Sequence, residues 1–346
     1  MATFSDYLKR RGAVTGPAGE VVTFAGAAAE YHNLAGGGAT LVPMTEVTPL
    51  RLTGEDALTF AHGQLSNEVQ GLKPGEANTS LMLNVKGHAL AQIGVYRRRS
   101  GLHLAVEGGA GATVAAQLDA HIIFDQVTIE DLSGSELVMT LQGAHAADTL
   151  HRALAVTVPK PKTFVEASFA GTSVLVAHAD RTGFGGADLH VSTDGALELF
   201  ELLESAGAVM AGREALDYAR VAAGIPEAWR EGGEGVLPQE AGLEPFVSYT
   251  KGCYLGQEIM ARIEARGSVR RSLRGLILAG EPPRGASHLT AGGRTVGRAG
   301  TVVAHPIHGV IGLGVIRKDV DSSASLDLAG TDVRMAELPF WAELAR

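Results

Sequence analysis

The chain has 346 residues, 45% of them hydrophobic and 19% charged, which is long enough for about two domains and apolar enough to bury a core, so a disordered tail or a fibre is excluded. Its single cysteine excludes an internal disulfide framework and any zinc site built from several thiolates. A formal charge of −9 argues against a general nucleic-acid binder, and the charged opening MATFSDYLKRRG lacks the apolar stretch of a secretory signal, so a cytoplasmic protein without a membrane segment is expected.

Residues 1–40 read as an N-terminal extension, a short charged helix and Gly/Ala-rich sequence ending in the turn Ala35-Gly36-Gly37-Gly38. Thr53-Gly54-Glu55-Asp56 then places a capping hydroxyl before Leu58, Ala61, Leu65 and Val69 at helical spacing, which predicts a helix over about 55–70. Thr79–Asn84 and His88–Arg97 alternate as two strands of a hairpin with Asn84 at its rim. Further strands are expected at Leu102–Val106, Leu137–Leu141, Gly171–His178 and Leu189–Ser192, with helices over 112–123 and 144–154 and around Leu197–Leu203 and Leu216–Ala223. From Arg274 the texture changes to short Val/Leu/Ile runs broken by Gly and Pro, the pattern of a small β-barrel or sandwich. The fold class is therefore α+β with a C-terminal β-barrel.

Several motifs carry little. Gly183–Gly186 and Gly309–Gly314 lack the strand-loop-helix setting of a phosphate loop and read as turns. The twelve histidines are dispersed, and the closest pair, His305 and His308, has no third ligand nearby in sequence, so no metal site is expected. Ser248–Lys251 fits SxxK without the accompanying acyl-serine elements. The run Arg266, Arg270, Arg271 and Arg274 is either a charged strand edge or a dock for an anion, RNA phosphate or a polycarboxylate.

The distinctive segment is Lys251-Gly252-Cys253-Tyr254-Leu255-Gly256-Gln257-Glu258. It is polar, without periodicity, and brackets the lone thiol with glycines that allow close backbone approach. A lone cysteine is commonly inert and buried, but here Lys251 is placed to raise the thiolate fraction of Cys253. This segment resembles the KGCYxGQE signature of the YgfZ family, folate-binding relatives of the glycine-cleavage T-protein (aminomethyltransferase). Arg220–Pro226 and Leu237–Glu244 resemble the flanking RxxxGIP and LPQE blocks, and Thr53–Ala57, Leu83-Asn84 with Gly87, Arg181–Phe184 and Val296–Gly314 resemble landmarks of the same relatives.

The resemblance implies a T-protein-like fold of three domains around a central folate cavity. In this sequence that means residues 41–272 as two intertwined α+β folate-binding domains, which include the 237–258 signature, and 273–346 as the C-terminal β-barrel. It further implies a tetrahydrofolate or folate-derivative ligand, with Asn84, Arg220 and Asp188 as cofactor contacts, Cys253 as the functional thiol and Lys251 as its modulator. Gly252, Tyr254, Gly256, Gln257 and Glu258 complete the motif. The implied role is assembly or repair of iron–sulfur clusters in client enzymes, with assembly proteins or those clients as partners and a link to tRNA modification. T-proteins carry an aspartate after the Asn-x-x-Gly hairpin, where this chain has Ala91 and Gln92, and continue RTGYTGED where this chain has Ala187 and Asp188. Proton transfer during methylene transfer needs a positioned acid or base, which Ala91 does not supply. The alternatives are a tetrahydrofolate-dependent aminomethyltransferase of glycine cleavage and a folate-independent RNA- or protein-binding module.

Overall fold

Alternation of apolar side chains becomes sheet through most of the chain. The computed structural model describes residues 4–341; Met1–Thr3 and residues 342–346, the outer ends of the first and last expected segments, lie outside the described residues. Contacts group the chain into two units, one formed by residues up to 64, 68–80 and 93–216, the other by 65–67, 81–92 and the chain from 217 onward.

In the first unit a six-stranded sheet runs in the order Phe164–Phe169, Thr172–His178, Gly186–Ser192, Glu136–Gln142, Ala39–Pro43, Ala208–Met210. The last pair is parallel and the others are antiparallel. Its core joins Leu41, Met139, Leu141, Val176 and Leu189 to Leu150, Phe200 and Leu203 of the helices Ala146–Leu154 and Thr193–Ser205. Both helices present one apolar stripe to the sheet. Ser192 starts the second by accepting a bond from Gly195 N at 3.4 Å. The helix Phe4–Arg10 contributes Tyr7 and Leu8 to the same core.

A five-stranded sheet follows the order Ala77–Leu83, Ala89–Arg98, Gly101–Val106, Thr48–Thr53, Thr128–Asp131. Its first two strands form the expected hairpin, whose end, residues 81–92, belongs to the second unit. The C-terminal runs form a closed barrel of Arg271–Leu278, Gly309–Arg317, Arg294–His305, His288–Ala291, Leu326–Leu328 and Thr331–Ala336, filled by Leu276, Leu289, Ile316 and Leu328. Closure removes the sheet edges that short strands would otherwise expose. Among the described residues no helix is long and apolar enough to cross a membrane.

One expected helix is shorter than its pattern. It spans Ala57–Gln64 instead of 55–70, because Leu65 bridges Met82 and Ser66 N bonds Leu81 O at 2.9 Å, so pairing with the hairpin strand replaces the last helical turns. A further helix, Gln257–Arg266, absent from the expected elements, follows the cysteine.

Candidate functional site

The signature segment is a loop fixed at both ends, with an exposed thiol between. Lys251 is buried and donates Nζ–H bonds to the carbonyls of Leu65 and Asn67, while its ammonium stands 4.7 Å from the centre of the Tyr254 ring. Tyr254 is buried and its hydroxyl donates to Ser248 O at 3.3 Å; burial pushes its phenol up to about 12. Gln257 turns back to accept from Tyr254 N at 3.3 Å, and the helix then runs on with Glu258 exposed in its first turn. Between these anchors Gly252 and Cys253 are exposed.

Gly256 explains why the motif needs a glycine. Its φ is +85°, and a Cβ there would lie 2.8 Å from Asn84 O and 3.3 Å from Gly87 Cα. The start of the helix thus packs backbone against backbone on the tip of the 84–87 hairpin. Asn84 shapes that tip: its Oδ1 accepts from Lys86 N at 2.9 Å and His88 N at 3.1 Å. Next on the hairpin, Ala91 is buried and Gln92 Oε1 accepts from Ala228 N at 3.2 Å, so the structure places no carboxylate at either position. The LPQE block supports the same region, since Gln239 Nε2 donates to Tyr249 Oη at 2.8 Å and Glu240 pairs with Arg271 at 2.7 Å.

Arg220 occupies a different environment from the one its motif suggests. It is 2% exposed at the last turn of the helix Arg213–Ala223, with Nε 2.7 Å from Asp217 and 3.4 Å from Glu227, and Nη1 3.2 Å from Glu231. Nη2 donates to Thr301 Oγ1, whose own hydroxyl donates to Glu231 at 2.6 Å. Arg230 closes the cluster at 3.2 Å from both Asp217 and Glu227.

Asp188 belongs to the first unit, on the strand Gly186–Ser192. It is also buried, and both its oxygens accept from Arg181, at 2.9 and 2.7 Å, while the same guanidinium reaches Glu107 at 2.7 Å. Burial alone would raise its pKa, but the Arg181 charge outweighs that and holds the carboxyl below the usual carboxylate range.

The basic run divides. Arg270 and Arg271 join Arg298, Arg317, Lys318 and His288 around a cavity of about 830 Å³ beside the barrel, Arg274 pairs with Glu337 at 3.2 Å, and the Arg266 side chain lies outside the described residues.

A further cluster escaped the sequence reading. His103 Nε2, Glu136 Oε1 and His190 Nδ1 converge in the first unit, with His103 to Glu136 at 3.0 Å, His103 to His190 at 3.1 Å and His190 to Glu136 at 3.4 Å. Burial holds His103 below the usual imidazole range. Burial works against ionisation of Glu136, yet the two facing imidazoles outweigh it and hold that carboxyl at about 2. The residues are far apart in sequence, and alternation of apolar neighbours marked only their strands.

The geometry has counterparts in known proteins. The profile of the GCVT N-terminal domain family matches residues 5–251. The chain is 25% identical over 311 residues to a putative transferase, chloroplastic, of Arabidopsis thaliana, spanning 88% of this chain and 72% of that one. It is 29% identical over 293 residues to an aminomethyltransferase of Thermus thermophilus, spanning 83% and 82%. The crystal structure of glycine cleavage system aminomethyltransferase T from Bartonella henselae superimposes with a TM-score of 0.83 at 20% identity, covering 97% of this chain and 96% of that one. The fold is therefore that of the aminomethyltransferases, mixed α/β with a closed six-stranded C-terminal barrel.

Proposed function

The chain belongs to the GCVT N-terminal domain family, and from that premise we propose that it is a tetrahydrofolate-binding accessory protein of the YgfZ type, which serves assembly or repair of iron–sulfur clusters in cytoplasmic client enzymes through Cys253. The observation that carries this reading is the exposed thiol in a loop anchored by Lys251 and Gly256, beside a hairpin whose position 91 is alanine. One thiol fills one ligand position of a cluster, so the others come from the client, an assembly protein or small thiols.

Tetrahydrofolate, when bound, supplies a one-carbon carrier. Of the expected contacts, Asp188 and Arg220 have their charges matched within the chain, and Asn84 Oδ1 closes its own turn. The Asn84 Nδ2 amide, half-buried at the rim, is the donor available to a folate. Saturable tetrahydrofolate binding in calorimetry, weakened in Asn84→Ala, is the expected outcome for this part.

The decisive experiment supplies Cys253→Ala to a strain lacking the protein. Iron–sulfur enzyme activity should stay at the deletion level while the variant accumulates and melts as the parent does; full restoration would sink the role of the thiol. The aminomethyltransferase reading rests on relatives such as the Thermus protein. It requires formation of methylenetetrahydrofolate from an aminomethylated carrier protein without a carboxylate at position 91, and robust turnover by the purified chain would favour it.

A further inference from the structure

We propose that His103, Glu136 and His190 form a buried site for one divalent first-row transition ion, Zn²⁺ in the first instance, which ties two sheets of the first unit together. His103 comes from the strand Gly101–Val106 of the five-stranded sheet. Glu136 and His190 come from the paired strands Glu136–Gln142 and Gly186–Ser192 of the six-stranded sheet, where Glu136 opposes Ser192 and His190 opposes Val138. The two therefore stand diagonally on one face, within reach of each other and of a side chain from the facing sheet.

The dimensions suit coordination. Four ligands at about 2.0–2.1 Å around zinc lie about 3.3–3.4 Å from one another, and the three atoms here are separated by 3.0, 3.1 and 3.4 Å. An ion about 0.9 Å out of their plane would meet all three at about 2.05 Å. Two imidazoles and one carboxylate are a donor set that zinc and ferrous iron both use, with further positions left for water or another ligand. Glu136, 15% exposed against 1% for each histidine side chain, gives the route by which an ion arrives.

Hydrogen bonding leaves the cluster incomplete. Glu136 Oε1 is buried and lacks a well-directed hydrogen bond despite the ring nitrogens 3.0 and 3.4 Å away, and the outer nitrogens, His103 Nδ1 and His190 Nε2, are buried without partners as well. The imidazole planes stand 82° apart with centroids 4.9 Å from each other, so their inner nitrogens meet at a common point without stacking. Buried polar atoms are nearly always satisfied, and of the three unsatisfied atoms Glu136 Oε1 is the one that faces the common point, where an ion would accept its lone pair together with those of the inner nitrogens His103 Nε2 and His190 Nδ1. Tyr96 packs edge-on against the His190 ring at 5.1 Å and Phe164 against Tyr96 at 5.8 Å, walls that hold the ring in place.

The test uses the full-length chain with any affinity tag removed, stripped with a chelator and titrated with Co²⁺ and then Zn²⁺. One equivalent of Co²⁺ should bind with visible ligand-field bands, be displaced by Zn²⁺, and raise the melting temperature. Glu136→Gln, which keeps the side chain's size, and His103→Ala should each weaken binding at least tenfold, whereas Cys253→Ser should bind as the parent does. X-ray absorption of the zinc-loaded parent should show two imidazole ligands, which keeps the question decidable if His103→Ala does not fold. Binding of less than one equivalent, unchanged affinity in Glu136→Gln, or loss of the bands in Cys253→Ser would overturn the proposal.

Discussion

Two buried polar clusters in this protein handle charge in opposite ways. Around Arg220, three carboxylates meet two guanidiniums, and Thr301 links the Arg220 fork to Glu231. Around Glu136, one carboxylate meets two imidazoles, with no guanidinium or ammonium in contact among the described residues. The first has its charges matched by the chain's own side chains, and its energy depends on keeping opposite charges together in a place water does not reach. The second is a set of Lewis bases that face one another. The cluster closed by its own cations is a structural element; the other is the one proposed above to take up an ion.

Breaking the cation-rich side should give the largest effect. Arg220→Met takes the guanidinium away from Asp217, Glu227 and Glu231, and should cost about 3–5 kcal/mol in urea denaturation; a loss below about 1 kcal/mol would erase the contrast. Asp188→Asn removes one of the two carboxylates on the half-buried Arg181 and should cost about 2–3 kcal/mol. The same pair sharpens the contrast through pH. The folded Asp188 pKa is below its unfolded value, so its contribution is fully present above about pH 4 and is lost as pH falls further. The acid limb of the stability curve should accordingly be shallower in Asp188→Asn than in the parent.

On the cation-free side, Glu136→Gln in metal-free protein should cost only about 1 kcal/mol, since it leaves no buried cation stranded. A cost as large as that of Arg220→Met would mean the triad is closed by protons as tightly as the other cluster is by guanidinium. Cys253→Ala should lie within about 0.5 kcal/mol of the parent, because an exposed thiol supports nothing beneath it.

Much of the fold could be read from local pattern. Period-two alternation located the hairpin strands 77–83 and 89–98, and the Gly-broken Val/Leu/Ile runs marked the closed barrel. What misled was pattern without partners. Leu65 and Val69 continued a helical spacing, but pairing of Leu65 with Met82 carried more weight than one further turn. Arg220 reads as an anion contact when taken alone; Asp217 three residues before it, and Glu227 and Glu231 after it, were the available sign that its charge is matched at home. The helix from Gln257 had Gly256 as a start signal and Ile259, Met260 and Ile263 at helical spacing, features overshadowed by the polar residues of the motif. The triad left no such sign, because His103 meets the other two only when two sheets face each other.

The double anchorage of the cysteine loop bears on how fast and how tightly a partner is engaged. Lys251 fastens one end to the carbonyls of Leu65 and Asn67, and Gly256 seats the other on the hairpin tip. Ordering a free segment on binding costs about 1–2 kcal/mol per residue in backbone entropy. In this loop that cost is met during folding, so Cys253 enters an encounter preorganised, and most of the interaction energy with a partner remains available as affinity.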